Sequence, residues 1–226
     1  MSFWRQTLTI MMKDLRAELR TKEAINASFS FALVILLLFS FAFEPSPEMT
    51  IEVSGGLLWI VFAFAGALIL NRSFARELPN DCLDALIAAP LPGSALFLGK
   101  ALSNLALLMA VELVCFPVFG IFYNVNVTRQ FWTLLLVVAL GTWGFTVIGT
   151  MFSALTVNIR LREVMLPMLV YPTMIPCLMA AMQLTGFLIG GEPLNSEQMV
   201  WMKFLVGFDV IFTSLAVMLV EIVLVG

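Results

Sequence analysis

The chain has 226 residues, of which 61% are hydrophobic and 12% are charged, and its net charge is -3. Soluble domains carry roughly a quarter charged residues, so this composition excludes a soluble protein and predicts an integral membrane protein. At about twenty residues per crossing, the chain has room for six helices and no additional soluble domain. The small net charge of its sparse loops excludes a nucleic-acid-binding surface, so we expect no nucleic-acid partner.

Residues 1–23 form the first predicted element, an amphipathic helix. Apolar residues recur there at helical spacing: Trp4, Leu8, Met11, Met12, Leu15 and Leu19. Charged residues, with the basic ones in excess, occupy the positions between them. Such a helix is typical of a segment that lies in the cytoplasmic interface of the membrane. Its charges are too many for a cleavable signal peptide.

Six apolar stretches follow, and each is a candidate for crossing the bilayer. We predict spans at residues 24–43, 55–70, 101–123, 131–157, 164–190 and 204–226. Trp59 is expected near a membrane interface at one end of the second span. The predicted fold is an all-α integral membrane protein with six transmembrane helices, in which residues 1–226 form a single permease domain.

Basic residues are divided unequally between the two sets of loops. With the N-terminus inside, ten lie on the cytoplasmic side: Arg5, Lys13, Arg16, Arg20, Lys22, Arg72, Arg76, Lys100, Arg160 and Arg162. The opposite side holds two, Arg129 and Lys203. The positive-inside rule therefore predicts that both termini and the loop at residues 71–100 are cytoplasmic.

The loop at residues 71–100 is the longest polar interruption of the chain, and a short helix is predicted over Asn80–Ala89. Asn80 or Asp81 is suited to cap the N-terminus of this helix, because a short polar side chain there accepts hydrogen bonds from free N–H groups. Pro90 ends the helix because its ring blocks the preceding turn.

The two faces of this short helix differ. Leu83, Leu86 and Ile87 form a narrow apolar face, whereas the remaining surface carries Asp81 and Asp84. Two interpretations remain open: the helix lies on lipid, or it docks a protein partner. Helices on the anionic cytoplasmic leaflet usually carry Lys and Arg, so the acidic surface favours a protein partner.

The fourth and fifth spans carry distinct packing signals. A stripe of small and hydroxylated residues follows one side of the fourth span: Thr142, Thr146, Gly149, Thr150 and Ser153. Such stripes let helices approach closely in lipid. The fifth span contains Pro167, Pro172 and Pro176, which remove backbone hydrogen bonds and predict a bent helix.

Three acidic residues lie within apolar runs, namely Glu112 in the third span and Asp209 and Glu221 in the sixth. An ionised carboxylate at the bilayer centre costs about 2.5–3.5 kcal/mol, so each needs a partner, a proton or water. Glu221 lies near a membrane surface, and Asp209 is expected to be hydrated or paired with Lys203. Glu112 is either a substrate or proton site or a neutral acid that bonds helices together. Glu112 and Asp209 are therefore the candidate intramembrane polar site.

Several kinds of chemistry are excluded by the residue types present. The chain has no histidine, and its three cysteines are far apart, so we expect neither a metal site nor a bound cofactor. The pair Gly99 and Lys100 lacks the rest of a phosphate-binding loop, because Ala101 follows where Ser or Thr is needed. If ATP drives this protein, another polypeptide hydrolyses it.

Three segments together point to a known family. They are the loop with F-A-R-E-L from Phe74, P-L-P from Pro90 and G-K from Gly99, the run Gly56–Trp59, and residues 158–176. With the basic amphipathic helix and six spans, the chain resembles the membrane subunits of ABC exporters. It most closely resembles the CcmB family of cytochrome c maturation, also called haem exporter protein B, over nearly the whole chain.

The resemblance implies a bacterial inner-membrane subunit, a transporter component and not an enzyme. It implies a homodimer bound to a CcmA-like ATPase, which uses the ATP, and to CcmC-, CcmD- and CcmE-like proteins. The implied task of ATP hydrolysis is either export of haem or release of the haem-loaded chaperone. The residues implied to couple to the ATPase are Glu77, Asp81, Leu83, Asp84, Leu86, Ile87 and Pro90.

Three other functions remain open. The loop pattern is shared with ABC permeases that export a lipid, a polysaccharide or a drug. An ion-coupled secondary transporter would use Glu112 and would work without an ATPase. A scaffold would hold an ATPase near its client without transport.

Overall fold

A computed structural model describes residues 2–42, 47–79, 82–191 and 194–225, which form eight α-helices and a short 3-10 turn. The helices are α1 (Phe3–Thr21), α2 (Glu23–Ala42), α3 (Pro47–Ser73), α4 (Cys82–Ala88), α5 (Gly93–Tyr123), α6 (Phe131–Thr156), α7 (Arg162–Ile189) and α8 (Ser196–Val225). The 3-10 turn spans Ala75–Glu77, between α3 and α4. The predicted all-α membrane fold is confirmed.

Six of the described helices are long and apolar enough to cross a membrane, namely α2, α3, α5, α6, α7 and α8. Several are longer than the predicted spans: α3 begins at Pro47 rather than at residue 55, and α5 begins at Gly93 rather than at residue 101. At 1.5 Å per residue, the 31 residues of α5 extend about 46 Å, well beyond a hydrocarbon core of about 30 Å. Hydropathy marks the part of a helix that suits lipid, whereas backbone hydrogen bonding continues past it.

The spans alternate in direction, so the bundle has two distinct ends. One end carries α1, α4, the start of α5 and the loop between α6 and α7, and we call it the α4 end. At the other end the loop before α6 meets the loop after α7. Their contact is close, since a side chain on Gly191 would collide with Arg129. The loops with most basic residues therefore share the α4 end.

Trp59 of α3 is buried against α6 and α7, and its predicted place near a membrane interface stays a prediction. Its indole N–H donates a hydrogen bond to the hydroxyl of Thr185, with 3.0 Å between the heavy atoms. Gly141 of α6 has no side chain at the point where the indole ring lies. The tryptophan therefore fills the centre of the bundle, and its one polar group is paired inside it.

The stripe along α6 is a site of close helix contact, as predicted. The Ser153 hydroxyl donates to the backbone oxygen of Leu70 at 2.9 Å. Gly149 leaves space that the Leu70 side chain occupies. The Asn104 amide of α5 donates to the Thr150 hydroxyl at 2.9 Å. The α7 helix, Arg162–Ile189, contains the three prolines of the fifth span, and the bend expected from them stays a prediction.

Candidate functional site

The helix α4 lies at the end of the bundle and is attached to it by apolar contacts. Leu83 is buried in a small cluster with Phe74, Ala154 and Val157, which lie after α3 and at the end of α6. Ile87 and two other half-buried residues, Leu78 and Val223 of α8, pack against the same cluster. The short helix is therefore connected directly to the membrane-spanning helices α6 and α8.

The outward face of α4 is small and acidic rather than apolar. At about 100° per residue, Leu83 and Ile87 fall on the inner side, whereas Asp84, Ala85 and Ala88 fall on the outer side and are exposed. Leu86 is half-buried at the border between the two sides. The stripe predicted to anchor a partner is thus largely used within the chain.

Two other residues are implied to couple to the ATPase. Pro90 is exposed just after α4, and Asp81 lies outside the described residues. The observed helix begins at Cys82, so the predicted capping residues also lie outside the described part of the chain.

A charge network centred on Lys100 lies beside α4. The Lys100 side chain is fully buried, and its Nζ atom is 2.9 Å from Oε1 of Glu77 and 3.2 Å from Oδ2 of Asp14. It also donates to the backbone oxygen of Ser73 at 2.8 Å and lies 4.7 Å from the centre of the Phe74 ring. A buried ammonium group is stable only with such partners, so Lys100 links α1, the loop after α3 and α5.

Lys13 joins the same two carboxylates from the more exposed side. Its ammonium group pairs with Glu77, and its Nζ atom is 3.1 Å from Oδ1 of Asp14. Burial lowers the pKa of Lys13, but the hydrogen bond to Glu77 and the charge of Asp14 outweigh it, so the net pKa is above the ordinary 10.5. Lys13 therefore remains charged at neutral pH. Glu77, expected on the docking face, is instead buried in this network.

A second ion pair connects α1 to the same loop. The buried carboxylate of Glu18 pairs with Arg76. Its Oε1 atom also accepts hydrogen bonds from the backbone N–H groups of Ala24 and Ile25, at 2.8 and 3.0 Å. These N–H groups lie in the first turn of α2 and lack helical acceptors, so Glu18 caps α2 as well. The carboxylate thus joins α1, α2 and the 3-10 turn.

Glu112 is fully buried in α5 and is bonded to α6. Its two carboxyl oxygens lie 2.8 and 2.9 Å from the hydroxyl oxygen of Thr142. Among the described residues, no basic side chain forms an ion pair with Glu112. The partner that the sequence did not reveal is therefore a member of the α6 stripe.

Asp209 lies against the other side of α6. A methyl group on Gly144 would be 2.6 Å from Oδ1 of Asp209 and 3.2 Å from the sulfur of Cys177 in α7. The predicted partner Lys203 is exposed and makes no ion pair with it, and both carboxyl oxygens lack a hydrogen-bond partner among the described residues. Thr142 and Gly144 are two positions apart in α6, so the two acids lie at similar depth but on different sides of this helix and are not brought together.

Comparison with known proteins identifies the family. A family model described as CcmB protein matches residues 5–222, almost the whole chain. The chain belongs to the CcmB family. Relatives of this CcmB chain include the haem exporter protein B of Rhodobacter capsulatus, 29% identical over 77% of this chain and 80% of its own length. Those of Haemophilus influenzae and Pseudomonas aeruginosa are 28% and 26% identical, over 77% and 76% of this chain and 78% and 77% of their own.

The loop motif of this CcmB chain coincides with the charge network. Phe74, Glu77 and Lys100 belong to the motif, and each takes part in holding the loop against α5. Sequence reasoning missed Asp14 and Glu18 on α1, which pair with Lys100 and with Arg76 of the same motif. Their spacing of four residues was the available signal, since it places two acids on one face of a basic helix.

Proposed function

We propose that this chain is the permease subunit of an ABC-type complex that serves the biogenesis of c-type cytochromes. A separate CcmA-like ATPase hydrolyses ATP, and the energy serves either export of haem or release of the haem-loaded chaperone. The family match over residues 5–222 and the relatives named haem exporter protein B support this function. A second copy of the chain and CcmC-, CcmD- and CcmE-like proteins complete the proposed complex.

The position of α4 is the observation that carries the mechanism. A permease without an ATP site must receive motion through a rigid element that is seated on its ATPase. The outer face of α4, with Asp84, Ala85 and Ala88 exposed, provides small residues that allow close approach. Its inner face is attached through Leu83 to the ends of α3 and α6. A displacement of α4 would therefore reach the spanning helices directly.

The charge network provides a second route for the same displacement. Lys100, near the start of α5, is bonded both to Glu77 of the loop that carries α4 and to Asp14 of α1. Glu18 and Arg76 connect that loop to the start of α2. Movement of α4 would in this way be shared by α1, α2 and α5, in addition to α6 and α8.

The mechanism requires that the α4 end faces the cytoplasm, where ATP is hydrolysed. The ten basic residues at this end support that orientation under the positive-inside rule. The exposed native thiol of Cys82 and a cysteine introduced at the exposed Glu197 test it in intact cells. An impermeant thiol reagent should label Glu197→Cys and leave Cys82 unlabelled. Labelling of Cys82 alone would reverse the orientation and end this mechanism.

Copurification of the co-expressed ATPase subunit tests the docking face. We expect the double variant Ala85→Arg with Ala88→Arg to reduce the bound ATPase at least tenfold, because two long charged side chains prevent close approach. Ala17→Arg is the matched control, since Ala17 is an exposed helical alanine at the same end but in α1. An unchanged amount of ATPase with the double variant, at normal levels of inserted chain, would show that α4 does not dock it.

A further inference from the structure

The helix α1 has three distinct faces around its axis. One face carries Thr7, Ile10 and Glu18, which are buried against the rest of the chain. On this side α1 approaches α5 closely, since a methyl group on Gly99 would lie 2.8 Å from Ile10. With 3.6 residues per turn, the remaining two faces are separate stripes, and neither is covered by the residues that the structure describes.

The second face of α1 is apolar and exposed. Trp4, Leu8 and Leu19 have 66%, 52% and 61% of their surface exposed, and Met12 is also exposed. These residues follow one another at intervals of four, four and seven positions, so they lie along one side of the helix. Four large apolar side chains on one exposed stripe indicate contact with an apolar phase or partner.

The third face is basic and lies next to the apolar one. Arg5, Arg16 and Arg20 are exposed, and none of the three has an acidic partner among the residues that the structure describes. A shallow, open groove between side chains of α1 alone runs along this face, and Leu8 and Met12 line it together with the three arginines. Positive charge and apolar surface therefore border the same groove.

We propose that this groove binds the headgroups of anionic glycerophospholipids, with their acyl chains along Leu8 and Met12. Arginine matches phosphate oxygens with a planar fork of N–H donors, and three of them remain unpaired within the described chain. An acidic protein would satisfy the arginines but not the adjacent apolar stripe. A lipid supplies both groups: its phosphate meets the basic face, and its hydrocarbon chains meet the adjacent apolar face.

The lipid surface is physically connected to the charge network. Lys13 lines the groove and also pairs with Glu77 and Asp14. The helix that contacts lipid therefore also carries the carboxylates that hold Lys100 and Arg76. Bound anionic lipid fixes α1 and, through it, the loop that carries α4.

The test measures lipid binding to the purified full chain by native mass spectrometry in detergent, titrated with phosphatidylglycerol or phosphatidylcholine. We expect tighter binding of phosphatidylglycerol, and a loss of about thirtyfold in Arg16→Gln with Arg20→Gln. That factor corresponds to about 1 kcal/mol for each basic residue near an anionic surface, at 1.4 kcal/mol per factor of ten. The charge-preserving variant Arg16→Lys with Arg20→Lys should retain most of the affinity.

The matched control removes two basic residues from another loop at the same end, as Arg160→Gln with Arg162→Gln. It should bind phosphatidylglycerol like the unmodified chain. Equal binding of the two lipids, or an equal loss in both double variants, would overturn the proposal. So would unchanged lipid binding combined with loss of the copurified ATPase in Arg16→Gln with Arg20→Gln, because the basic face would then dock a protein.

Discussion

Replacing Lys100 with Met removes the centre of the charge network while keeping much of the side-chain volume. Lys100 is fully buried and pairs with both Glu77 and Asp14. Removing one partner of a buried ion pair costs about 3–5 kcal/mol, because the other charge is left without compensation. Lys13 still pairs with both carboxylates in this variant, so we expect a loss near 3 kcal/mol.

Amide hydrogen exchange of the purified chain measures this loss in the segment from residue 73 to residue 100. A loss near 3 kcal/mol should raise its opening equilibrium by about a hundredfold, since 1.4 kcal/mol is a factor of ten. Lys13→Gln is the control: its side chain is 44% exposed, so its pairs are screened and contribute at most about 1 kcal/mol. Adding Glu77→Gln to Lys100→Met should restore part of the protection, because fewer unpaired charges remain. Equal exchange in Lys100→Met and the unmodified chain would refute a structural role for the network.

Two further predictions concern the spanning helices. Glu112→Gln should leave most of the cytochrome c maturation activity intact, because the amide oxygen still accepts the hydrogen bond from Thr142; complete loss at normal protein levels would instead assign the carboxyl group to a substrate or proton site. Gly55→Ala should lower the melting temperature of the purified chain, since its methyl group would collide with the backbone of α7, and overpacking of this kind costs about 1–3 kcal/mol. The neighbouring Gly56→Ala has open space and should leave the melting temperature unchanged or higher, and equal effects of the two would contradict the close packing of α3 on α7.

Local patterns in the sequence determined the helical membrane fold. Runs of apolar residues predicted six spans, and six described helices long enough to cross a membrane are present. The α6 stripe was also readable, because small residues at helical spacing promote close packing whatever the partner helix is. Each of these features depends on neighbours within a few turns, which is the range over which helix periodicity and hydropathy act.

Only the tertiary structure decided which side of each polar segment is used. The apolar face of α4 suits a partner groove and the chain's own bundle equally well, and the ends of α3, α6 and α8 cover it. Lys100 and Asp14 are 86 positions apart, and Lys13 and Glu77 are 64 apart, so no local pattern could pair them. Their pairing follows from the packing of α1 on α5, where a buried ammonium group must be surrounded by carboxylates to remain charged in an apolar environment.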